Sequence, residues 1–140
     1  MPAKRHALDM VAEANKRIRT YSVSEAQAKL DQPNVTFVDL RDPRELERDG
    51  VVPGAFHATR GMLEFWVDPA SPYYKPIFGE DNEFVLFCGG GWRSALAAAT
   101  LLDMGFDHDK VAHIDGGFAA WKAAGAQVNA KESREQREPR

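Results

Sequence analysis

Residues 84–95 read Phe84-Val85-Leu86-Phe87-Cys88-Gly89-Gly90-Gly91-Trp92-Arg93-Ser94-Ala95. Four apolar residues give way abruptly to a cysteine and three glycines, and an alanine- and leucine-rich run follows as far as Met104. The first part has the length and composition of a strand in a covered sheet. The last predicts a helix over 93–104, with Gly105 placed as its left-handed C-cap. Val111-Ala112-His113-Ile114 supplies a returning strand. Strand, helix, strand in this rhythm predicts an α/β fold with a parallel sheet covered by helices.

The flanking sequence extends the pattern. Val35-Thr36-Phe37-Val38 is another short apolar strand. Ser22-Val23-Ser24-Glu25 matches a capping box and opens a short helix through about Leu30. Residues 6–19 place Leu8, Val11, Asn15 and Ile18 on one side at helical spacing, which predicts an amphipathic helix packed on the body. A further short helix is expected over 117–124. Residues 58–83 are less regular. Met62, Leu63, Phe65 and Trp66 predict a turn or two of helix, and an ordered loop with three prolines and a tyrosine pair follows. Its aromatic residues are read as a plug over the core in preference to a substrate wall. The expected organisation is an N-terminal helical extension over 1–20, one domain over 21–125, and a tail over 126–140. The charged end of that tail, KESREQREPR, has nothing to bury and is expected to be disordered.

Composition narrows the functional classes. A chain of 140 residues supports one core. It is 44% hydrophobic and 28% charged with a net charge of -3, so it carries no basic footprint for nucleic acid or acidic membranes. The first ten residues contain no continuous apolar stretch, and a cytoplasmic location is expected. One cysteine cannot form an internal disulfide, which leaves the thiol for chemistry or packing. The four histidines lack metal-ligand spacing and no dinucleotide glycine pattern is present, so no metal or other cofactor is expected.

Cys88 is predicted at the carboxyl edge of the sheet, where open α/β folds bind ligands. Amides of Gly89, Gly90 and Gly91 can form an anion nest, and the following helix adds its positive end. Arg93 brings a full charge. Together they predict an exposed, ionised, nucleophilic sulfur. Ser94 is placed either to donate to that sulfur or to cap the helix, and Trp92 to flank the entrance to the sulfur as a gate or a lid.

Residues 88–94 resemble the active-site loop of the rhodanese family, sulfurtransferases that carry a sulfane sulfur on a cysteine as a persulfide. Asp39-Leu40-Arg41 resembles the family's D-x-R, residues 50–57 (GVVPGAFH) its G-H-I-P-G-A-x-x segment, and residues 115–121 (DGGFAAW) its terminal G-G-x-x-x-W. Four motifs in the expected order cover about residues 20–125. Val51 departs from the family's usual histidine.

The resemblance implies a rhodanese-like fold with helices on both faces of the sheet. It implies Cys88 and Arg93 as catalytic residues, with Gly89, Gly90, Gly91, Trp92 and Ser94 holding the substrate or persulfide. It also implies a small anionic donor such as thiosulfate, an external thiol acceptor such as glutathione or thioredoxin, no metal, nucleotide or flavin, and a monomer or weak homodimer. Asp39 and Arg41 would support the loop as an ion pair, or Asp39 would only cap the following turn and helix. Pro53-Gly54-Ala55 and Gly116-Gly117 read as turns, and Trp121 as core. The N-terminal helix and residues 61–81 exceed the smallest family members and are linked to acceptor choice by position alone. Two rival readings are a non-catalytic binding or sulfur-sensing module and a cysteine-based phosphatase or arsenate reductase. Phosphatase loops hold five residues between cysteine and arginine, whereas four stand here.

Overall fold

Each strand alternates its side chains between two faces, and that alternation positions every functional group described below. The structure, a computed structural model, describes residues 1–132. Five strands, β1 (Arg19–Tyr21), β2 (Val35–Asp39), β3 (Phe56–His57), β4 (Glu83–Phe87) and β5 (Val111–Ile114), form one parallel sheet in the order β1-β5-β4-β2-β3. Among the described residues six α-helices flank it: α1 (Ala7–Arg17), α2 (Val23–Lys29), α3 (Pro43–Asp49), α4 (Leu63–Val67), α5 (Trp92–Asp103) and α6 (Gly117–Ala123).

Val38, Phe84, Leu86 and Val111 point to one face, where they pack with Val11 and Ala14 of α1, Leu63 of α4 and the alanine-rich side of α5. Phe37, Val85, Ala112 and Ile114 point to the other, against Ala26 of α2 and Phe118 and Trp121 of α6. Trp121 meets Phe37 edge-on and donates its indole N–H to the Gln127 carbonyl at 2.8 Å. Each fully buried aliphatic residue of this kind contributes about 1.5–3 kcal/mol.

The sequence-predicted helices and strands form with shifts of one or two residues at their ends. The capping box at Ser22 and Glu25 is present, and Gly105 closes α5 with φ of 106°. A second capping box, Asp42 with Glu45, starts α3 behind Pro43. Pro53-Gly54-Ala55 turns into β3 at the edge of the sheet, with Gly54 at φ 75°.

Two expectations require correction. Of the four residues expected on the packed side of the first helix, Leu8 and Asn15 are exposed: α1 turns Val11 and Ala14 into the core, with Ile18 just past its end, and leaves Leu8 and Asn15 at the edge of that face. Residues 126–129, assigned to the tail, fold back onto the body. Ala126 is buried, and Val51 and Asn129 exchange backbone hydrogen bonds of 2.7 and 2.9 Å. The charge run that signals disorder starts only after them, and residues 133–140 of the predicted tail lie outside the described residues.

The aromatic residues of 58–83 form a plug. Trp66 and Phe78 from this segment join Phe56, Phe84 and Phe106 in a row ordered Trp66, Phe56, Phe78, Phe84, Phe106, with centroid separations of 5.4–6.1 Å, mostly edge to face, while Phe65 and Tyr73 stay exposed. A cleft of about 520 Å³ beside Tyr74 and Phe78 opens at the Phe84 end of β4, the end opposite Cys88.

At that same end Glu83 is buried among Arg19, Tyr21 and Lys29, with Lys29 Nζ 2.9 Å from its carboxylate. Burial alone would raise the carboxyl's pKa. Hydrogen bonds from Tyr21 and Lys29 and the charge of Arg19 outweigh it and hold the carboxyl below its ordinary range. A carboxyl depressed in the folded state stabilises the protein above its unfolded pKa of about 4.3, and that stability is lost as pH falls through the folded value. The melting temperature is therefore expected to drop between about pH 5 and 3, and Glu83→Gln to flatten that drop in a thermal scan across pH.

Candidate functional site

Cys88 follows β4 directly and keeps its alternation, so the sulfur faces the α1 and α5 side with Phe84 and Leu86. The residue is 1% exposed. The expectation of an exposed thiol is thus corrected: a residue in register with a buried strand inherits the strand's burial, and the glycine loop closes over it. The Gly91 amide donates to Sγ at 3.2 Å and the Ser94 amide at 3.4 Å. Gly91 reaches this position with φ of 107°, a left-handed conformation that strains any side chain, and it serves as N-cap of α5. Ser94 is fully buried, its Oγ 3.6 Å from Sγ and 3.3 Å from the Gly91 carbonyl.

The loop's carbonyls are held from behind. Phe118 donates its amide to the Cys88 carbonyl at 2.8 Å, and Ala119 donates to that of Gly89 at 3.0 Å. Gly116 and Gly117, at φ 73° and 60°, bring the start of α6 close enough for this. A Cβ on Gly117 would lie 2.5 Å from the Cys88 carbonyl oxygen. The pair is therefore more than the turn its sequence suggests.

Arg93, in the first turn of α5, is ion-paired with Glu45 of α3 through bonds of 2.8 and 3.0 Å. Glu45 keeps the guanidinium firmly protonated, and the nearby Cys88 acts in the same direction. Reciprocally, the hydrogen bond from Arg93 holds the Glu45 carboxyl below its usual range despite partial burial. The guanidinium passes beside Gly89, where an added Cβ would sit 3.1 Å from Nη2. Glu45 is absent from the sequence reading. The signal that would have found it is Asp42-Pro43-Arg44-Glu45, a capping box aimed at the loop.

Asp39 and Arg41 lie on the opposite face of the sheet from the sulfur. Their side chains are 2% and 1% exposed, and Arg41 donates to the carboxylate through Nε at 3.0 Å and Nη2 at 2.8 Å. Nη2 also reaches the Gly50 carbonyl at 2.8 Å, the guanidinium stacks 3.9 Å over Phe118, and Nη1 has no partner among the described residues. Asp42, not Asp39, caps α3. The ion pair thus supports Phe118, which in turn holds the Cys88 carbonyl.

Two clefts adjoin the loop. One of about 560 Å³ is lined by Arg41, Glu45, Arg48, Gly89, Phe118 and Lys122. The other, of about 410 Å³, is lined by Gly90, Gly91, His113, Asp115 and Trp92. Trp92 is 63% exposed and stands at its rim.

His113 and Asn15 were missed as site residues. His113 is buried on β5, on the sulfur's side of the sheet. Its Nδ1 lies 2.9 Å from Ser94 Oγ and its Nε2 3.0 Å from Asn15 Oδ1. Burial pushes its pKa down, against an upward pull from Asp115. A histidine in an otherwise apolar strand, and an asparagine on the apolar stripe of the first helix, were the available signals.

The loop so assembled can hold a nucleophilic sulfur against two amide donors, those of Gly91 and Ser94, while no bond from the Gly89 or Gly90 amide to the sulfur is present among the described residues. Residues 22–124 match the sequence model of the rhodanese-like domain. A solved structure from Rhodopseudomonas palustris, of a protein of unknown function described as a possible tyrosine phosphatase, is 53% identical; the match covers 92% of this chain and 98% of that one with a TM-score of 0.87. The polysulfide-sulfur transferase homodimer of Wolinella succinogenes is 27% identical over 93% of this chain and 91% of its own, with a TM-score of 0.65. A thiosulfate sulfurtransferase from Pseudomonas aeruginosa is 25% identical over 91% of this chain and 23% of its own, with a TM-score of 0.70.

Proposed function

Because the chain belongs to the rhodanese-like domain family, we propose that it is a sulfurtransferase that carries sulfane sulfur on Cys88 from an anionic donor such as thiosulfate to an external thiol. The observation that carries this reading is the tight ring around the sulfur: two amides on Sγ, and four residues between Cys88 and Arg93.

In the first half-reaction the Cys88 thiolate attacks the outer sulfur of thiosulfate. The new S–S bond forms as the old one breaks, sulfite leaves with the bonding electron pair, and a Cys88 persulfide remains. Loop amides and the charge of Arg93 offset the negative charge that collects there. In the second, a thiolate or cyanide attacks the outer sulfur and Cys88 leaves as thiolate. With one cysteine in the chain, the acceptor must come from outside.

Similarity to a possible tyrosine phosphatase favours one second reading, phosphoryl transfer through Cys88. The four-residue spacing weighs against it, since a phosphoryl group with three equatorial oxygens needs a wider cradle.

Intact mass after brief exposure to thiosulfate separates the two. The expected result is a gain of one sulfur, removed by cyanide as thiocyanate over repeated cycles. Absence of uptake together with hydrolysis of an aryl phosphate would overturn it. Arg93→Ala is expected to weaken use of thiosulfate at least about tenfold, the effect of losing a charge-assisted contact, while use of a neutral organic trisulfide changes less. Equal losses on both donors would show that Arg93 and Glu45 serve to hold the loop.

A further inference from the structure

Ser94, His113 and Asn15 form a continuous hydrogen-bonded line that starts at the Cys88 sulfur and ends at the exposed side of α1, and nothing in the two half-reactions uses it. The distances along the line are 3.6 Å from Sγ to Ser94 Oγ, 2.9 Å on to His113 Nδ1, and 3.0 Å from His113 Nε2 to Asn15 Oδ1. Asn15 Oδ1 can only accept, so His113 donates through Nε2–H and presents a bare Nδ1 to the Ser94 hydroxyl. The Ser94 hydroxyl has two acceptors within reach, the Gly91 carbonyl at 3.3 Å and the bare Nδ1 at 2.9 Å; donating to the nearer one, Nδ1, it leaves its oxygen free to accept from the thiol.

We propose that Ser94, His113 and Asn15 are a proton relay that deprotonates Cys88. As the S–H bond breaks, its proton passes to Ser94 Oγ, and the Ser94 hydroxyl proton passes to His113 Nδ1. The products are a thiolate, held by the Gly91 and Ser94 amides, and an imidazolium held by Asn15. No electrons are gained or lost, and the proton returns by the same path when the thiol is restored. His113 and Asn15 act through Ser94 and are positioning residues. The inference rests on Cys88 being the nucleophile proposed above, but not on the identity of its donor.

The surroundings suit a proton acceptor that is neutral at rest. Burial keeps His113 uncharged near neutral pH. Facing it are the uncharged Asn15 of α1, Ser94 of α5, and Thr20 and Leu86 in register on the neighbouring strands. Asp115, two residues along, is the charged group that acts on it. Asn15 lies outside residues 22–124, so the N-terminal helix would contribute to reactivity as well as to packing.

The test is the rate of Cys88 alkylation by iodoacetamide, followed by intact mass on the full chain from pH 5.5 to 10. Wild type is expected to hold a shoulder of reactivity below pH 8 that fades as His113 protonates. His113→Asn keeps an acceptor for Ser94 but takes up no proton. It is expected to lose the shoulder, reacting about tenfold more slowly at pH 7, and to converge with wild type at high pH, where hydroxide removes the proton. Asn15→Asp, at an exposed position that folding tolerates, places a carboxylate on Nε2–H and is expected to raise the pH 7 rate about threefold. Superimposable profiles, a uniform slowing at every pH, or a sulfur that resists alkylation throughout would each overturn the relay. Wild type that keeps the shoulder but takes up no sulfur from thiosulfate would leave the relay standing and remove only the donor.

Discussion

Replacing Cys88 with serine is expected to reduce sulfur uptake from thiosulfate and turnover with cyanide at least about a thousandfold, the scale of loss when a sole nucleophile is removed. The hydroxyl is close in size to the thiol and can sit against the same two amides, yet it ionises far less readily and bonds poorly to a sulfane sulfur. The measurement is sulfite release together with intact mass. Retained uptake in this variant would sink the assignment, since no second thiol exists to replace the first. The effect on stability differs from that of an exposed loop residue. Cys88 packs in the core face with Leu86, Ala95 and Ala98. Cys88→Ala should therefore lower unfolding free energy by about 1 kcal/mol, the range for removing one buried atom. A denaturant titration of both variants keeps loss of chemistry apart from loss of fold.

Asp39→Ala is expected to destabilise the protein by about 3–5 kcal/mol, the range for leaving one charge of a buried pair uncompensated. Against a typical total of about 5–15 kcal/mol this is about a fifth of the stability or more. The magnitude follows from how fully the partner is enclosed. Arg41 is 1% exposed, already has one guanidinium nitrogen without a partner among the described residues, and would lose its three side-chain bonds to the carboxylate together with the acceptor of its own backbone amide. The midpoint of chemical denaturation should fall with its slope unchanged. Replacing both residues together, Asp39→Leu with Arg41→Met, should recover part of the loss, because a well-packed apolar pair carries no desolvation penalty. A cost below about 1 kcal/mol for Asp39→Ala would instead match a solvated pair.

The parallel sheet and its helices were legible because their signals are local: the apolar run before Cys88, the alanine-rich run after it, the serine capping box. The loop itself was legible from residue types and spacing. Three features were not. Burial of Cys88 depends on strand alternation continuing past the last paired residue, which composition does not reveal. Glu45 is 48 positions from the arginine it binds, and His113 and Asn15 are 98 apart. Such contacts exist only once the topology has brought the elements together. Asn15 was nevertheless visible as a polar residue on an apolar stripe, and His113 as a charged-capable residue inside a strand. His113 marked a place where burial needed a partner, and Asn15 is the exposed group that supplies it. Leu8 shows the converse error, a helical stripe extended one turn beyond what the neighbouring helix covers.

The backing of the loop by the start of α6 has a consequence for anyone wishing to transplant it. Residues 88–94 are not a self-contained cassette. Their carbonyls are turned outward by amides that belong to Phe118 and Ala119, admitted only because Gly117 leaves room beside the Cys88 carbonyl. A host strand and helix given the seven residues alone would lack this mould, and its loop would be free to point carbonyl oxygens at the sulfur in place of amides. The smallest portable unit is the loop together with its glycine-hinged backing, two segments from separate parts of the chain that have to be moved as one.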